Sequence, residues 1–227
     1  MRRLAIITAR SGSKGLKDKN IIDLWGKPLM AYSIEASIKS NLFCRVIVTT
    51  DSEKYGKIAE QYGAEALYRG EELSNDTASS FMVIKDVLEK AGESFDYFML
   101  LQPTSPMRNS DHIKEAVSLF DSNISAFDYL VSVKKSECPS SQIRPVGSDG
   151  SMKHFVNETG YRRQNYDEYT PNGAIYIAKP GKYLIDQDFY GAKSLAYKMA
   201  NVDSIDIDDE IDYELVKILM ARRLAKK

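Results

Sequence analysis

Two cysteines and two histidines are all that the 227 residues hold of these types, and their scarcity removes several chemistries. Cys44 and Cys138 stand alone, without the spacing of a zinc or redox site, so buried or idle thiols in a reducing cytoplasm are expected. His112 and His154 form no cluster, and neither reads as a metal ligand or general base. No apolar run approaches the ~18 residues of a membrane span. The apolar stretch after Arg2 and Arg3 is far too short for a signal peptide. A net charge of −1 gives no global pull toward nucleic acid or anionic lipid. No extended basic face and no alternation of bases with aromatics marks a nucleic-acid reader. Internal repeats and low-complexity tracts are missing as well.

What is present is an ordinary globular composition, 43% hydrophobic and 28% charged, in a length that suits one α/β domain with a subdomain. Charge is unevenly placed. Between Arg2 and Asn20 stand six bases (Arg2, Arg3, Arg10, Lys14, Lys17, Lys19) and one acid, Asp18. Leu4 to Ile7 reads as a buried strand, and it feeds a loop containing Gly12 and Gly15. Glycines let the backbone approach a ligand or take φ > 0, and the freed N–H groups can face anionic oxygens. Arg10 can grip phosphate with two parallel hydrogen bonds, while Lys14 and Lys19 act as point charges. The loop is neither a Walker A motif, which needs Lys where Leu16 stands, nor G-x-G-x-x-G.

The rest of the chain alternates short apolar runs with helical stripes, the rhythm of a mostly parallel sheet flanked by helices. Strands are expected at Arg45–Thr50, Ala64–Leu67, Tyr97–Leu101 and Tyr129–Val133, with a turn at Pro171 to Gly173 leading into another through Ile177. Helices are expected to bury Met30, Ser33, Ile34, Ser37 and Ile38, with Pro28 at the first helical position; then Ile58, Ala59 and Tyr62, stopping at Gly63; then Ile84, Val87, Leu88 and Ala91, capped by Asn75, Asp76 or Thr77; then Ile113, Ala116, Val117 and Phe120. A last helix would bury Ile211, Leu215, Ile218 and Leu219. In such sheets ligands sit beyond the carboxyl ends of the strands, where the Arg10 loop falls. Asp51 falls there too, either as a helix N-cap or as support for the site. From Lys134 to Pro171 the pattern degrades into prolines, glycines and polar residues, an excursion long enough to be functional or an interface.

The segment from Asp203 to Glu214 holds seven acids and no base. In extended chain Asp206 and Asp208 share one face, with Ile205 and Ile207 opposite. Two hard carboxylates on one edge suit Mg²⁺. Acids at a helix start also favour the helix dipole, which accounts for Asp209, Glu210 and Asp212.

Ala9-Arg10-Ser11-Gly12-Ser13-Lys14-Gly15 with Lys19-Asn20 resembles the signature loop of CMP-sialic acid synthetases, the acylneuraminate cytidylyltransferases. Similar to that family as well are Asp76-Thr77-Ala78-Ser79-Ser80 after Arg69, Gln102-Pro103-Thr104-Ser105-Pro106, Asn172-Gly173-Ala174 and Ser204-Ile205-Asp206-Ile207-Asp208. The resemblance covers nearly the whole chain and is weakest between about 134 and 163. It implies a Rossmann-like nucleotidyltransferase fold over residues 1–227, with an inserted arm at about 134–171 that swaps across a homodimer. It implies CTP and a sialic-acid-type nine-carbon 2-keto acid as substrates, giving the CMP-sugar and pyrophosphate, with Mg²⁺ (or Mn²⁺) on Asp206 and Asp208 and a second ion as an option.

By the same resemblance Arg10, Lys14 and Lys19 hold the triphosphate. Arg69 and the backbone at Ala78 read the cytosine edge, with Ser79, Ser80 and Asn20 holding the nucleotide. Gln102 and Asn172 touch the sugar. Arg163, with Arg162 in reserve, faces the sugar acid or phosphates. Asp208 or Asp209 takes the proton. No added esterase domain, of the kind some relatives have, is expected after the last helix. A legionaminic acid transferase, a hexose-1-phosphate nucleotidyltransferase and a non-catalytic nucleotide binder stand as alternatives.

Overall fold

The structure, a computed structural model, describes residues 1–12, 15–155 and 167–225. The first strand, β1 (Arg3–Thr8), shows why the sheet is central. Leu4, Ala5, Ile6 and Ile7 are all fully buried, so the strand needs apolar cover on both faces. A two-residue hairpin, β2 (Asp23–Leu24) and β3 (Lys27–Pro28), leads into α1 (Leu29–Ser40). Then follow β4 (Arg45–Thr50), α2 (Glu53–Gln61), β5 (Glu65–Tyr68), α3 (Ser80–Ala91), β6 (Tyr97–Leu101) and α4 (Ser110–Asn123). The second half comprises β7 (Tyr129–Lys135), β8 (Tyr169–Ala178), α5 (Pro180–Asp186), β9 (Ser194–Met199) and α6 (Glu210–Leu224).

Seven strands pair in the order β5-β4-β1-β6-β8-β7-β9. Only β8 runs antiparallel to its neighbours; the other pairs are parallel. Residue alternation divides the core. Ala5, Ile7, Met99 and Leu101 face α1 and α4 through Met30, Ile34, Ile113 and Phe120. Leu4, Ile6, Phe98 and Leu100 face α3 and α5 through Ile84, Val87 and Tyr183. Chain order moves outward from β1 to β4 and β5, then returns to β6 on the other side. The β1/β6 boundary is therefore the switch point at which such sheets open a ligand crevice.

Several expectations need correction. Ile38 on α1 is 42% exposed. Pro28 precedes α1 as its N-cap residue rather than starting it. α3 is capped by Ser79, whose hydroxyl accepts from the Met82 amide; Asn75 instead folds the preceding loop by accepting from the Thr77 and Ala78 amides. The largest change is in α6. Ile211, Leu215 and Ile218 are 77%, 40% and 52% exposed, while Val216, Tyr213, Leu219 and Met220 pack against Leu24, Leu29, Met107 and Ile207. Both faces of α6 carry apolar side chains, so periodicity alone does not choose between them. The buried anchor Ile207 just before the helix does. Cys44 and Cys138 are free and exposed rather than buried.

The excursion after β7 begins as a continued ladder, with Val133, Lys134 and Lys135 opposite Pro171, Thr170 and Tyr169. Glu168 then ties it back, accepting from the Ser140 amide and hydroxyl. Arg162 and Arg163 lie outside the described residues, as does Lys14.

Candidate active site

Along the carboxyl edge the strand order sets Arg69, Asp51, the Arg10 loop and Gln102 side by side, after β5, β4, β1 and β6. Arg69, Arg10 and Gln102 border a cavity of about 490 Å³, while Asp51 bonds the back of the Arg10 loop. Its basic wall is Arg10, Lys19, Asn20 and the backbone of Gly15. Opposite stand Asp206 and Asp208, and Arg69, Ala78 and Ser80 close a third side. Gln102 and Ser80 also line a second cavity of about 420 Å³, walled by Tyr176, Tyr183, Phe189 and Tyr190 with Gln187 and Asp188. No sequence motif marks this aromatic chamber, because it is assembled from β8, α5 and the segment before β9.

The loop is held from below. Asp51 accepts from the Ser11 amide at 2.8 Å and the Ser11 hydroxyl at 2.7 Å, and Ser52, not Asp51, caps α2. Asn20 is 6% exposed, and its amide donates to the Arg10 carbonyl at 2.9 Å. Neither glycine of the loop is in the positive-φ region. Gly15 is needed for approach: a Cβ there would lie 2.6 Å from the Asp208 carbonyl oxygen, whereas one on Gly12 would meet nothing within 4 Å. Partial burial pulls the Asp51 carboxyl up, but the two Ser11 donors and the Arg69 charge outweigh it, and its pKa is lowered. A carboxylate whose folded pKa is depressed contributes above its unfolded pKa and loses that contribution as pH falls through the folded value. Asp51→Ala should therefore raise the CTP KM about tenfold at neutral pH, by the loss of loop alignment. Titration of KM with CTP checks this.

The cations of the cleft are paired across it. Arg10 meets Asp76 at 3.1 Å and Lys19 meets Asp208 at 3.2 Å. Arg69 is 8% exposed with Nε unpartnered among the described residues, and burial lowers its pKa despite the opposing pull of Asp51. Such a donor is positioned to be completed by a ligand acceptor.

On the acidic side Ile207 is fully buried beside Leu24 and Val216, with Ile205 packed nearby, and Asp206 and Asp208 turn to the cavity, as the alternation in the sequence requires. Burial, reinforced by Asp208, raises the pKa of Asp206 against the pull of the Thr104 hydroxyl and Lys19. Its Oδ1 is buried with no hydrogen-bond partner among the described residues. An orphaned carboxylate oxygen beside a second carboxylate fits a hard cation such as Mg²⁺. Among the described residues no group of three or more His, Cys, Asp or Glu converges on a metal position, so water and substrate oxygens would complete the shell. An unpartnered buried charge is costly. Asp206→Asn should melt no lower than the parent chain, each kcal/mol of relief showing as about 2–4 °C; a clear fall in Tm would contradict this reading.

Two expected site residues are engaged elsewhere. Asp209 is the N-cap of α6, accepting from the Ile211 and Asp212 amides in a reciprocal capping box, and does not border either cavity. Asn172 is 5% exposed. Its Oδ1 accepts from the Ser132 hydroxyl and the Ala174 amide, and its Nδ2 donates to Ser204. It secures the bulge in β8, where the pairing shifts between Val131 and Val133, rather than lining the cleft. The bulge turns on Gly173, at φ +76°. A Cβ there would crowd Gln102 Oε1 at 3.0 Å and come into contact with Asp206 at 3.5 Å.

A cationic loop facing two carboxylates at the switch point of a mostly parallel sheet defines a nucleotidyltransferase-type protein. Residues 4–219 match the family described as Cytidylyltransferase, and the chain belongs to that family. It is 48% identical to an N-acylneuraminate cytidylyltransferase of Escherichia coli over 99% of its own length, but covers only 53% of that protein. It thus spans about half the length of that curated relative. Against the CMP-N,N'-diacetyllegionaminic acid synthase of Legionella pneumophila it is 36% identical, with 97% of both chains covered. A solved CMP:2-keto-3-deoxy-manno-octonic acid synthetase in complex with CTP superposes with a TM-score of 0.73 at 18% identity, covering 98% of this chain and all of the other. At that identity the likeness shows the fold alone.

Proposed function

We propose that the chain transfers CMP from CTP to a nine-carbon 2-keto sugar acid of the N-acetylneuraminic type. The observation that carries this reading is the pair of adjoining cavities: a charged one scaled to a nucleoside triphosphate, and an aromatic one sharing Ser80 and Gln102 with it. CTP would lie along the loop, with Arg10 and Lys19 on its phosphates and Lys14 as a further candidate. Arg69, the Ala78 backbone, Ser79, Ser80 and Asn20 would hold the base and ribose. A base lacking the right edge would leave the buried Arg69 unpaired, which is how such sites discriminate. The sugar acid would occupy the aromatic chamber, with Gln102 at the junction and Arg163 as the candidate for its carboxylate.

Asp206 and Asp208 would hold Mg²⁺, which when bound supplies charge stabilisation at the α-phosphate and acidifies a nearby hydroxyl. The anomeric oxygen forms its bond to the α-phosphorus as the bond to the departing pyrophosphate breaks. Arg10 and Lys19 meet the charge that accumulates there. With Asp209 engaged as a helix cap, Asp208 is the candidate to receive the hydroxyl proton.

No helix among the described residues is long and apolar enough to cross a membrane; a cytoplasmic site for the CTP chemistry is part of the proposal. Ile143, Val146 and Met152 on the excursion are 67%, 61% and 63% exposed, which supports a homodimer arm. Legionaminic acid is the second reading, favoured by the full-length match to the Legionella enzyme.

Pyrophosphate release tests the assignment. The panel is CTP and Mg²⁺ with N-acetylneuraminic, legionaminic and pseudaminic acids, 3-deoxy-octulosonate or glucose 1-phosphate, with UTP and ATP as base controls. Release with CTP and a nine-carbon acid is expected. Release with a sugar 1-phosphate, or none with any acid, would overturn the proposal.

A further inference from the structure

Beneath the cleft lies a positive charge without an anionic partner among the described residues. Arg108 is 1% exposed and is the largest of the fully buried side chains. Among the described residues its guanidinium is engaged only through Nη2, donating to the Ser33 hydroxyl at 2.5 Å and to the Gln102 carbonyl at 3.3 Å. Nε and Nη1 have no partner among the described residues. Burial alone brings its pKa down, to about 10, so the group is still a cation at neutral pH. A core position that required only volume would be filled at less cost by Met or Leu, since an unpaired buried charge is among the most expensive groups a fold can carry.

Its contacts show where the charge is used. The Gln102 carbonyl collects three donors: the Ser105 amide at 3.4 Å, the Ser33 hydroxyl at 3.2 Å and Arg108. A charged donor is the strongest of the three in kind. The side chain of the same Gln102 borders both cavities. Two residues on, the Thr104 carbonyl accepts from the Ile207 amide at 2.8 Å, and the Thr104 hydroxyl bonds Asp206. One short turn thus carries the residue at the junction of the chambers and fixes the segment that presents both carboxylates.

We propose that Arg108 is a positioning residue, which clamps the Gln102 carbonyl and so holds the Gln102 amide in register with the neighbouring Asp206. This rests on the cytidylyltransferase reading above for what the register serves. It gives a reason for a costly buried cation, and it makes Ser33 on α1 the second half of the clamp.

Arg108→Met, which keeps length and bulk without charge, is the test, with Arg108→Lys and Ser33→Ala beside it. In the ligand-free protein the Ser105 and Ile207 amides of Arg108→Met should exchange with solvent about tenfold faster than in the parent, while Tm stays level or rises. With substrates, KM for the sugar acid should rise about tenfold or more, with the CTP KM within about threefold. Arg108→Lys should recover part of the loss, and Ser33→Ala should show the same selective pattern at smaller amplitude. Unchanged exchange and unchanged KM would overturn the proposal. So would a variant that melts far below the parent, or fails to fold, while Ser33→Ala behaves as the parent does, because Arg108 would then be structural. If the parent chain itself released no pyrophosphate with any acid, the functional reading would fall, and the exchange data would still decide whether Arg108 holds the turn.

Discussion

Asp208→Asn is expected to lose about 1000-fold or more in turnover at ordinary Mg²⁺ while melting close to the parent. The two halves of this result come from different features of the residue. Its side chain is 77% exposed, and its ion partner is Lys19. Exposed pairs of this kind contribute about 0–1 kcal/mol. The backbone bond that orders this position, from the Asp208 amide to the Asp212 carboxylate, does not involve the Asp208 side chain. Asn preserves the shape and removes one anionic oxygen from the Asp206–Asp208 pair proposed to hold a hard cation. It also releases Lys19 from its ion pair, so CTP affinity should hold or improve even as turnover collapses. The check is kcat at saturating CTP and sugar acid, with CTP binding measured separately by calorimetry. Near-parental kcat would remove Asp208 from the reaction.

That site was legible in the sequence where the chemistry is local. The bases after β1 and the Ile–Asp alternation at 205–208 each state their geometry within a few residues, because strand and loop positions close in sequence stay close in space. The same holds for β4 and β6, whose bounds at Arg45–Thr50 and Tyr97–Leu101 follow from β-branched or apolar runs with clear punctuation. Legibility failed where the decision is made by distant partners. The inward face of α6 is chosen by the buried anchor Ile207 together with Leu24 and Met107, which lie far away in the chain. The strand through Ile177 is legible, but its antiparallel direction, and the presence of β9 beyond α5, depend on pairing with β6 and β7. The Asn172-Gly173 pair reads as a turn, but it forms a bulge inside β8, and its amide is spent on Ser132 and Ser204. The aromatic chamber draws on Tyr176, Tyr183, Phe189 and Tyr190, and only Phe189 and Tyr190 stand together in sequence. Arg108 is the sharpest case: a lone arginine after a proline turn looks like a surface residue until the fold closes over it.

Gly15→Ala is the complementary experiment, because it disturbs the alignment of the two charged walls without touching a charge. The added methyl would sit 2.6 Å from the Asp208 carbonyl oxygen. That is a backbone atom, and it cannot rotate aside. Either the basic loop lifts or the acidic segment retreats, and the gap between Lys19 and the carboxylates widens. A displacement of about 1 Å in a site that works by alignment costs about 100-fold in rate. Gly15 is exposed, so the strain should be taken up by local movement and Tm should change little. Gly12→Ala provides the contrast within the same loop: its methyl meets nothing within 4 Å, and activity within about threefold of the parent is expected from a surface change free of contacts. Steady-state rates for the two variants, measured side by side, separate a general need for glycine flexibility from a specific need for close approach. Equal damage at both positions would mean that the loop works by flexibility. Damage confined to Gly15 would mean that this family member brings its cationic and anionic halves together through one backbone contact, with glycine there because no other residue leaves room for it.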